Sequence, residues 1–147
     1  MDYRLEMDIN RPRAEVLHHF LDVDSLKDWQ TSLVSITPLD DLPPRSVGAK
    51  TEQVHRMGKR EVTMTETITV NDPPEHFAAI YAADGVWNQI ENRFTENPDG
   101  TTHWVCDNEF RCTGFMRVMA FLFPGMFRKQ TREFMEMFRD YVESRPT

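Results

Sequence analysis

The stretch VTMTETITV, residues 62–70, decides the reading of this chain. On the two-residue period of a strand, Val62, Met64, Ile68 and Val70 share one face and Thr63, Thr65, Thr67 and Thr69 the other. Glu66 falls in the middle of the apolar face. A carboxyl group among hydrocarbon side chains costs free energy unless it is paired, solvated or bound. The pattern therefore predicts a sheet whose inner face borders a cavity as well as a packed core. The competing reading places Glu66 near a sheet end, in reach of solvent or of an arginine.

Working outward, the two-residue period recurs through most of the chain. Upstream, YRLEMDI (3–9) sets Tyr3, Leu5, Met7 and Ile9 against Arg4, Glu6 and Asp8. Pro12 then suits a first helical turn, and RAEVLHHFLD (13–22) carries Val16, Leu17, Phe20 and Leu21 at helical spacing. Val23, Leu26 and Trp29 extend that stripe into a second short helix, capped by Asp24 or Ser25. Strands follow at SLVSITPL (32–39), VGAKTEQVHRM (47–57), the opening stretch, HFAAIYAAD (76–84), VWNQIENRFTE (86–96) and TTHWVCDNEFRC (101–112). The connections DDLPPRS, GK, NDPPE, DG and NPDG are turn or loop chemistry of hairpin length, which predicts an antiparallel meander. The tail is apolar over GFMRVMAFLFPGMF (114–127). It then becomes a long helix, MFRKQTREFMEMFRDYVES, with Phe127, Thr131, Phe134, Phe138, Tyr141 and Val142 on one stripe.

The predicted fold is α+β: a seven-stranded curved antiparallel sheet wrapped around a long C-terminal helix, with two short helices between strands 1 and 2. One domain over residues 1–147 is expected, and a domain of this size buries about 68–70% of its unfolded surface. Hydrophobic content of 39% and charged content of 28% fit a globular chain, and a net charge of −7 argues against nucleic acid as a partner. The strictly alternating N-terminus does not resemble a signal peptide, so a cytoplasmic location is expected. Cys106 and Cys112, six residues apart on one strand, are about 20 Å apart and do not bridge each other.

With this architecture in place, the chain resembles the helix-grip, START-like (SRPBCC) superfamily, and within it the polyketide cyclase/dehydrase-like group. The resemblance rests on INRPRAEVLHHFLDVDSLKDW (9–29), VGAKTEQV (47–54), ENPDGTTHWVCDNEF (96–110) and PGMFRKQTREFMEMFRDYVES (124–144). It implies a deep apolar cavity of the kind that serves lipid and sterol carriers, quinone-binding proteins and aromatase/cyclases. It implies no shared catalytic motif, so no catalytic residue carries over.

Strand parity nominates the lining independently, assuming that no β-bulge exchanges the faces. The inward set holds Met64, Glu66, Tyr81, Asn88, Ile90, Asn92, Phe94, Trp104, Asn108 and Phe110, joined by Phe134 and Phe138 from the helix. Val47, Ala49, Thr51, Gln53, His55 and Met57 face the same way, and Ala78, Ala79, Ala82 and Ala83 leave room along the wall. Buried amides and a carboxyl group are costly in a solid core and cheaper where a ligand or water meets them. The expected function is binding or carrying a small apolar molecule such as a lipid, quinone or polyketide-like aromatic. The alternative is a cyclase or dehydrase in which Glu66 or His55 moves a proton. No metal ligand set, cofactor motif or nucleophile triad is visible, and His18, His19, His55, His76 and His103 are not spaced to share an ion. Residues 115–127 read as a lid packed on the sheet or on a second subunit; an apolar segment touching a membrane surface is the lesser alternative. Monomer and homodimer both remain open.

Overall fold

The computed structural model describes residues 1–146. The chain runs β1 (Asp2–Ile9), α1 (Arg13–Phe20), a 3-10 turn (Val23–Ser25), α2 (Leu26–Trp29), β2 (Leu33–Pro38), β3 (Lys50–Met57) and β4 (Arg60–Asp72). β5 (His76–Ala83), β6 (Val86–Glu96), β7 (Thr102–Cys112), α3 (Gly114–Leu122) and α4 (Met126–Ser144) complete it. The seven strands form one curved antiparallel sheet in the order β1-β7-β6-β5-β4-β3-β2. Every strand from β2 onward thus pairs with its neighbour in sequence, through short connections except for the loop of residues 39–49 between β2 and β3, and β1 closes on β7. The Asp84–Gly85 turn of β5–β6 needs the φ of +76° that Gly85 adopts. A Cβ at that position would also stand 3.1 Å from the Thr113 carbonyl oxygen, where the chain turns into α3.

α4 lies across the concave face against β1, α1 and α2. Its buried stripe is Phe127, Thr131, Met135, Phe138 and Val142. Met135 therefore belongs to the stripe, while Phe134 and Tyr141 sit at its flanks, half-buried. Phe20 from α1 is the hub of the core: its ring centroid lies 5.8 Å from Phe77, 5.0 Å from Phe94, 6.3 Å from Trp104 and 5.5 Å from Phe138. Phe94 and Trp104 stack at 5.5 Å across β6 and β7. The two ends of α4 are tied down by polar contacts. Tyr3 on β1 donates its hydroxyl to the Phe127 carbonyl at 3.0 Å and lies 2.6 Å from Thr131 Oγ1. At the far end the Arg11 guanidinium donates to the Glu143 carbonyl, and Glu143 accepts from the Asn10 N–H at 2.9 Å.

Four local expectations are corrected. The cap of the short helical stretch is Asp22, whose side chain accepts from the Asp24 N–H; Asp24 and Ser25 lie inside the 3-10 turn. Val47 and Met57 are exposed, because they lie at or beyond the ends of β3 where the curved sheet no longer covers them. Ala82 faces outward, since β5 turns Phe77, Ala79 and Tyr81 inward. β4 carries a bulge between Ile68 and Val70, so the parity assumed from Val62 holds through Ile68 and reverses beyond it.

Two outcomes follow from this packing. Phe138→Ala empties a fully enclosed ring site and should lower unfolding free energy by about 3–5 kcal/mol in urea titrations. His103, on the outer face, bonds Asp8 through Nδ1 at 2.8 Å and Glu6 through Nε2 at 3.1 Å. These carboxylates raise its pKa above the ordinary value of 6.5. The resulting stabilisation is present below about pH 6.5 and is lost as pH rises through the folded-state value. NMR titration should find His103 above 6.5 in the wild type and lower in Asp8→Asn.

Candidate functional site

One rung of the sheet answers why an acidic side chain sits on an apolar face. Antiparallel register places Thr51 opposite Glu66, Glu66 opposite Tyr81, Tyr81 opposite Asn88, and Asn88 opposite Phe110. Glu66 is 5% exposed, and its carboxyl group accepts the Tyr81 hydroxyl at 2.5 Å and the Thr51 hydroxyl at 3.4 Å. Its neighbours on adjacent strands therefore satisfy it laterally, and no arginine forms an ion pair with it among the described residues. Burial raises the Tyr81 pKa well above 10, and the charge and hydrogen bond of Glu66 raise it further. Tyr81 is thus a proton donor, held un-ionised across the physiological range. Alongside, His55 contacts Ser32 Oγ at 2.9 Å and Gln53 Oε1 at 3.1 Å. Burial lowers the His55 pKa, partly opposed by the charge of Glu66.

Beside this rung lies a cavity between the sheet, the α1–α2 segment and α4. Its walls include Phe20, Leu26, Trp29, Ile68, Phe77, Ala79, Ile90 and Phe134, and its polar groups come from Arg45, Gln53, Glu66, Asn71, Tyr81 and Asn92. The cavity holds about 50 Å³. That is room for a few waters, against roughly 300–1,000 Å³ for a pocket enclosing a drug-sized ligand. The deep hollow expected between sheet and helix is largely filled by the rings packed around Phe20. Two donors beside the remaining space lack a protein acceptor: the indole Nε1 of Trp29, a residue 4% exposed, and Nε of Arg45. Each such buried group costs about 1–3 kcal/mol. Arg11 Nε and His76 Nε2 also lack a hydrogen-bond partner, but only Trp29 and Arg45 belong to the cavity wall.

The nominated residues divide by location. Glu66, Tyr81, Ile90, Asn92 and Phe134 border the cavity together. Phe94, Trp104 and Phe138 do not: they are enclosed in the aromatic core. Phe110 stacks on Phe127 at 4.4 Å and on Tyr3 at 5.9 Å. Asn88 and Asn108 lie away from the cavity and satisfy each other and the backbone. Asn88 donates to Asn108 Oδ1 at 3.4 Å and to the Glu109 carbonyl at 3.1 Å, and Asn108 donates to Cys106 Sγ at 3.2 Å. Asn92 accepts the Trp104 indole N–H at 2.9 Å. Met64 and His55 stay on the inner face without reaching the cavity wall.

Arg45, Asn71 and Trp29 were not among the nominated residues. In the sequence Trp29 belongs only to an apolar stripe. Arg45 sits in the loop DDLPPRS, where no periodicity assigns a direction, and adopts a φ of +68° that costs a non-glycine residue free energy. The bulge in β4 brings Asn71 inward, and its amide donates to the Arg45 carbonyl at 2.7 Å. Arg45 in turn donates from Nη2 to the Phe20 carbonyl at 3.3 Å. Among the described residues, no group of three or more His, Cys, Asp or Glu is arranged to hold a metal ion.

Comparisons with known proteins agree with this fold. The family described as polyketide cyclase/dehydrase and lipid transport matches residues 2–143. The chain belongs to that family. Among solved structures, the Zhui aromatase/cyclase from Streptomyces sp. R1128 is 14% identical with a TM-score of 0.79, covering 97% of this chain and 93% of that one. Ara h 8.0201 is 14% identical with a TM-score of 0.75 over 99% of both chains. A conserved protein from Geobacillus kaustophilus is 12% identical with a TM-score of 0.80, covering 97% of this chain and 95% of that one. At such identities these likenesses establish the fold. No functionally curated protein sequence matches the chain.

The Tyr81–Glu66 contact has a direct spectroscopic consequence. The Tyr81 ring should stay protonated well beyond pH 10 in NMR titrations, and Glu66→Gln should lower its pKa by removing the carboxylate charge. An unchanged titration in the variant would separate the two groups.

Proposed function

We propose that this protein binds a small, largely apolar molecule carrying at least one carbonyl or similar acceptor oxygen, in the cavity beside Glu66 and Tyr81. The observation that carries this reading is the pair of unpartnered donors, Trp29 Nε1 and Arg45 Nε, next to that cavity. An acceptor oxygen placed between apolar walls would meet them, while Phe20, Leu26, Ile68 and Phe134 cover the hydrocarbon. Membership of a family of polyketide cyclases, dehydrases and lipid-transport proteins supports an apolar ligand with oxygen functions. The small resting volume requires the walls to part on binding. The half-buried Phe134 and the loop holding Arg45 are the elements that would move.

One observation favours a second reading, in which the site performs proton transfer on a bound polyketone. Tyr81 stays un-ionised and donates at 2.5 Å to the Glu66 carboxylate, which would take a proton from a carbon of the bound polyketone and return it to another position of the same molecule. Glu66 is then the acid/base group, positioned by Tyr81, and His55 connects to it only through Gln53 and Thr51.

A hydroxylated anthraquinone, followed by quenching of tryptophan fluorescence, tests the first reading. The wild type should bind it, and Trp29→Phe should weaken binding by about 3–10-fold through the loss of one hydrogen bond. Equal affinity in wild type and variant would remove the donor pair from the argument. Glu66→Gln discriminates the two readings: a carrier loses only modest affinity, whereas an acid/base enzyme loses ~10²–10⁴-fold in turnover.

A further inference from the structure

α3 is an apolar helix with its apolar side turned outward. None of its residues is buried. Met116 faces the sheet end at Gly85, and the opposite side presents Phe115, Val118, Phe121 and Leu122, followed by Phe123. Phe121 is 84% exposed. At 100° per residue Phe115, Val118, Phe121 and Leu122 occupy one continuous arc with Arg117 at its edge. From Phe115 to Phe123 the only polar side chain is that of Arg117.

The charge distribution identifies what this surface meets. Residues 110–132 contain five of the 17 basic residues, Arg111, Arg117, Arg128, Lys129 and Arg132, and none of the 24 acidic ones. Among the described residues, no carboxylate pairs with Arg117, Arg128, Lys129 or Arg132. Along the chain, the apolar helix is thus flanked by basic side chains, of which Arg111 is paired with Glu109. Asp84, beside Gly85 at the sheet end, is the acidic neighbour in the turn it packs on. A protein interface of comparable size carries a hydrogen bond per 100–200 Å², and this surface offers almost no groups to make them. Hydrocarbon flanked by cations instead matches an anionic bilayer, whose interface accepts rings while its headgroups attract lysine and arginine. No helix among the described residues is long and apolar enough to cross a membrane, so the contact is superficial.

We propose that α3 and the following Phe123–Lys129 segment dock the protein on an anionic lipid surface, with Phe115, Val118, Phe121, Leu122 and Phe123 at acyl depth and Arg117, Arg128 and Lys129 among the headgroups. The same segment joins the sheet three rungs beyond the Tyr81–Asn88 pair, so docking holds this end of the sheet against the lipid. The proposal stands without the ligand reading, since vesicle binding requires nothing in the cavity.

Co-sedimentation with phosphatidylcholine vesicles, with and without 25% phosphatidylglycerol, tests it. The wild type should bind the phosphatidylglycerol vesicles at low salt, lose binding as salt rises, and bind pure phosphatidylcholine at least tenfold more weakly. Arg117→Gln/Lys129→Gln should reduce partitioning roughly 30-fold, at about 1 kcal/mol per charge near the surface. Phe121→Ser/Phe123→Ser should reduce it at least tenfold, and both side chains are exposed enough to be replaced without disturbing the fold. Equal sedimentation of wild type and the serine variant overturns the proposal. So does a wild-type dimer that the serine variant converts to monomer, because the face would then belong to a second copy.

Discussion

Glu66 imposes the main constraint on this structure. Removing a carboxyl group from water costs several kcal/mol if it is ionised, and only correctly placed donors repay that cost. The donors here are hydroxyls on the two flanking strands, Thr51 on β3 and Tyr81 on β5. Both are directly opposite Glu66 in the ladder, so a one-residue slip in either pairing would move them to the outer face. The registers of three central strands are therefore locked by one polar rung, and the cavity lies where that rung meets the aromatic core.

The core explains why the cavity is small. Phe20, Phe77, Phe94, Trp104 and Phe138 form a mutually packed set in the space that a helix-grip sheet would otherwise leave open. The buried asparagines belong to this solid region as well: Asn92 satisfies the Trp104 indole, and Asn88 and Asn108 serve each other. What remains hollow is bounded on one side by rigid β-structure. On the other side are α2, the loop with a left-handed arginine, and the half-buried Phe134 of α4.

Much of this was legible in the sequence because alternation is a direct record of the sheet faces. The Tyr3–Ile9 and Val62–Ile68 patterns fixed two strands, and hairpin-length turns fixed the order of the rest. The inward direction of Glu66 followed from parity alone. Parity could not separate residues that line a cavity from residues that fill one, since Trp104 and Ile90 share a face but differ in what lies above them. It also failed beyond Ile68, where an extra residue in β4 brings Asn71 inward, and it had no purchase on Arg45 in an aperiodic loop. The orientation of α3 was illegible for a related reason: a helix apolar nearly all round, with Arg117 its one polar side chain, gives little indication of which side is covered.

The central claim is that Glu66 and Tyr81 form an enclosed, energetically coupled pair at the site. A double-mutant cycle with Glu66→Gln, Tyr81→Phe and the combined variant, read by urea unfolding, tests it most directly. Coupling of about 1.5–3 kcal/mol, as for a buried hydrogen bond to a charged group, is the predicted result. Additive effects, with coupling below about 0.5 kcal/mol, would contradict it.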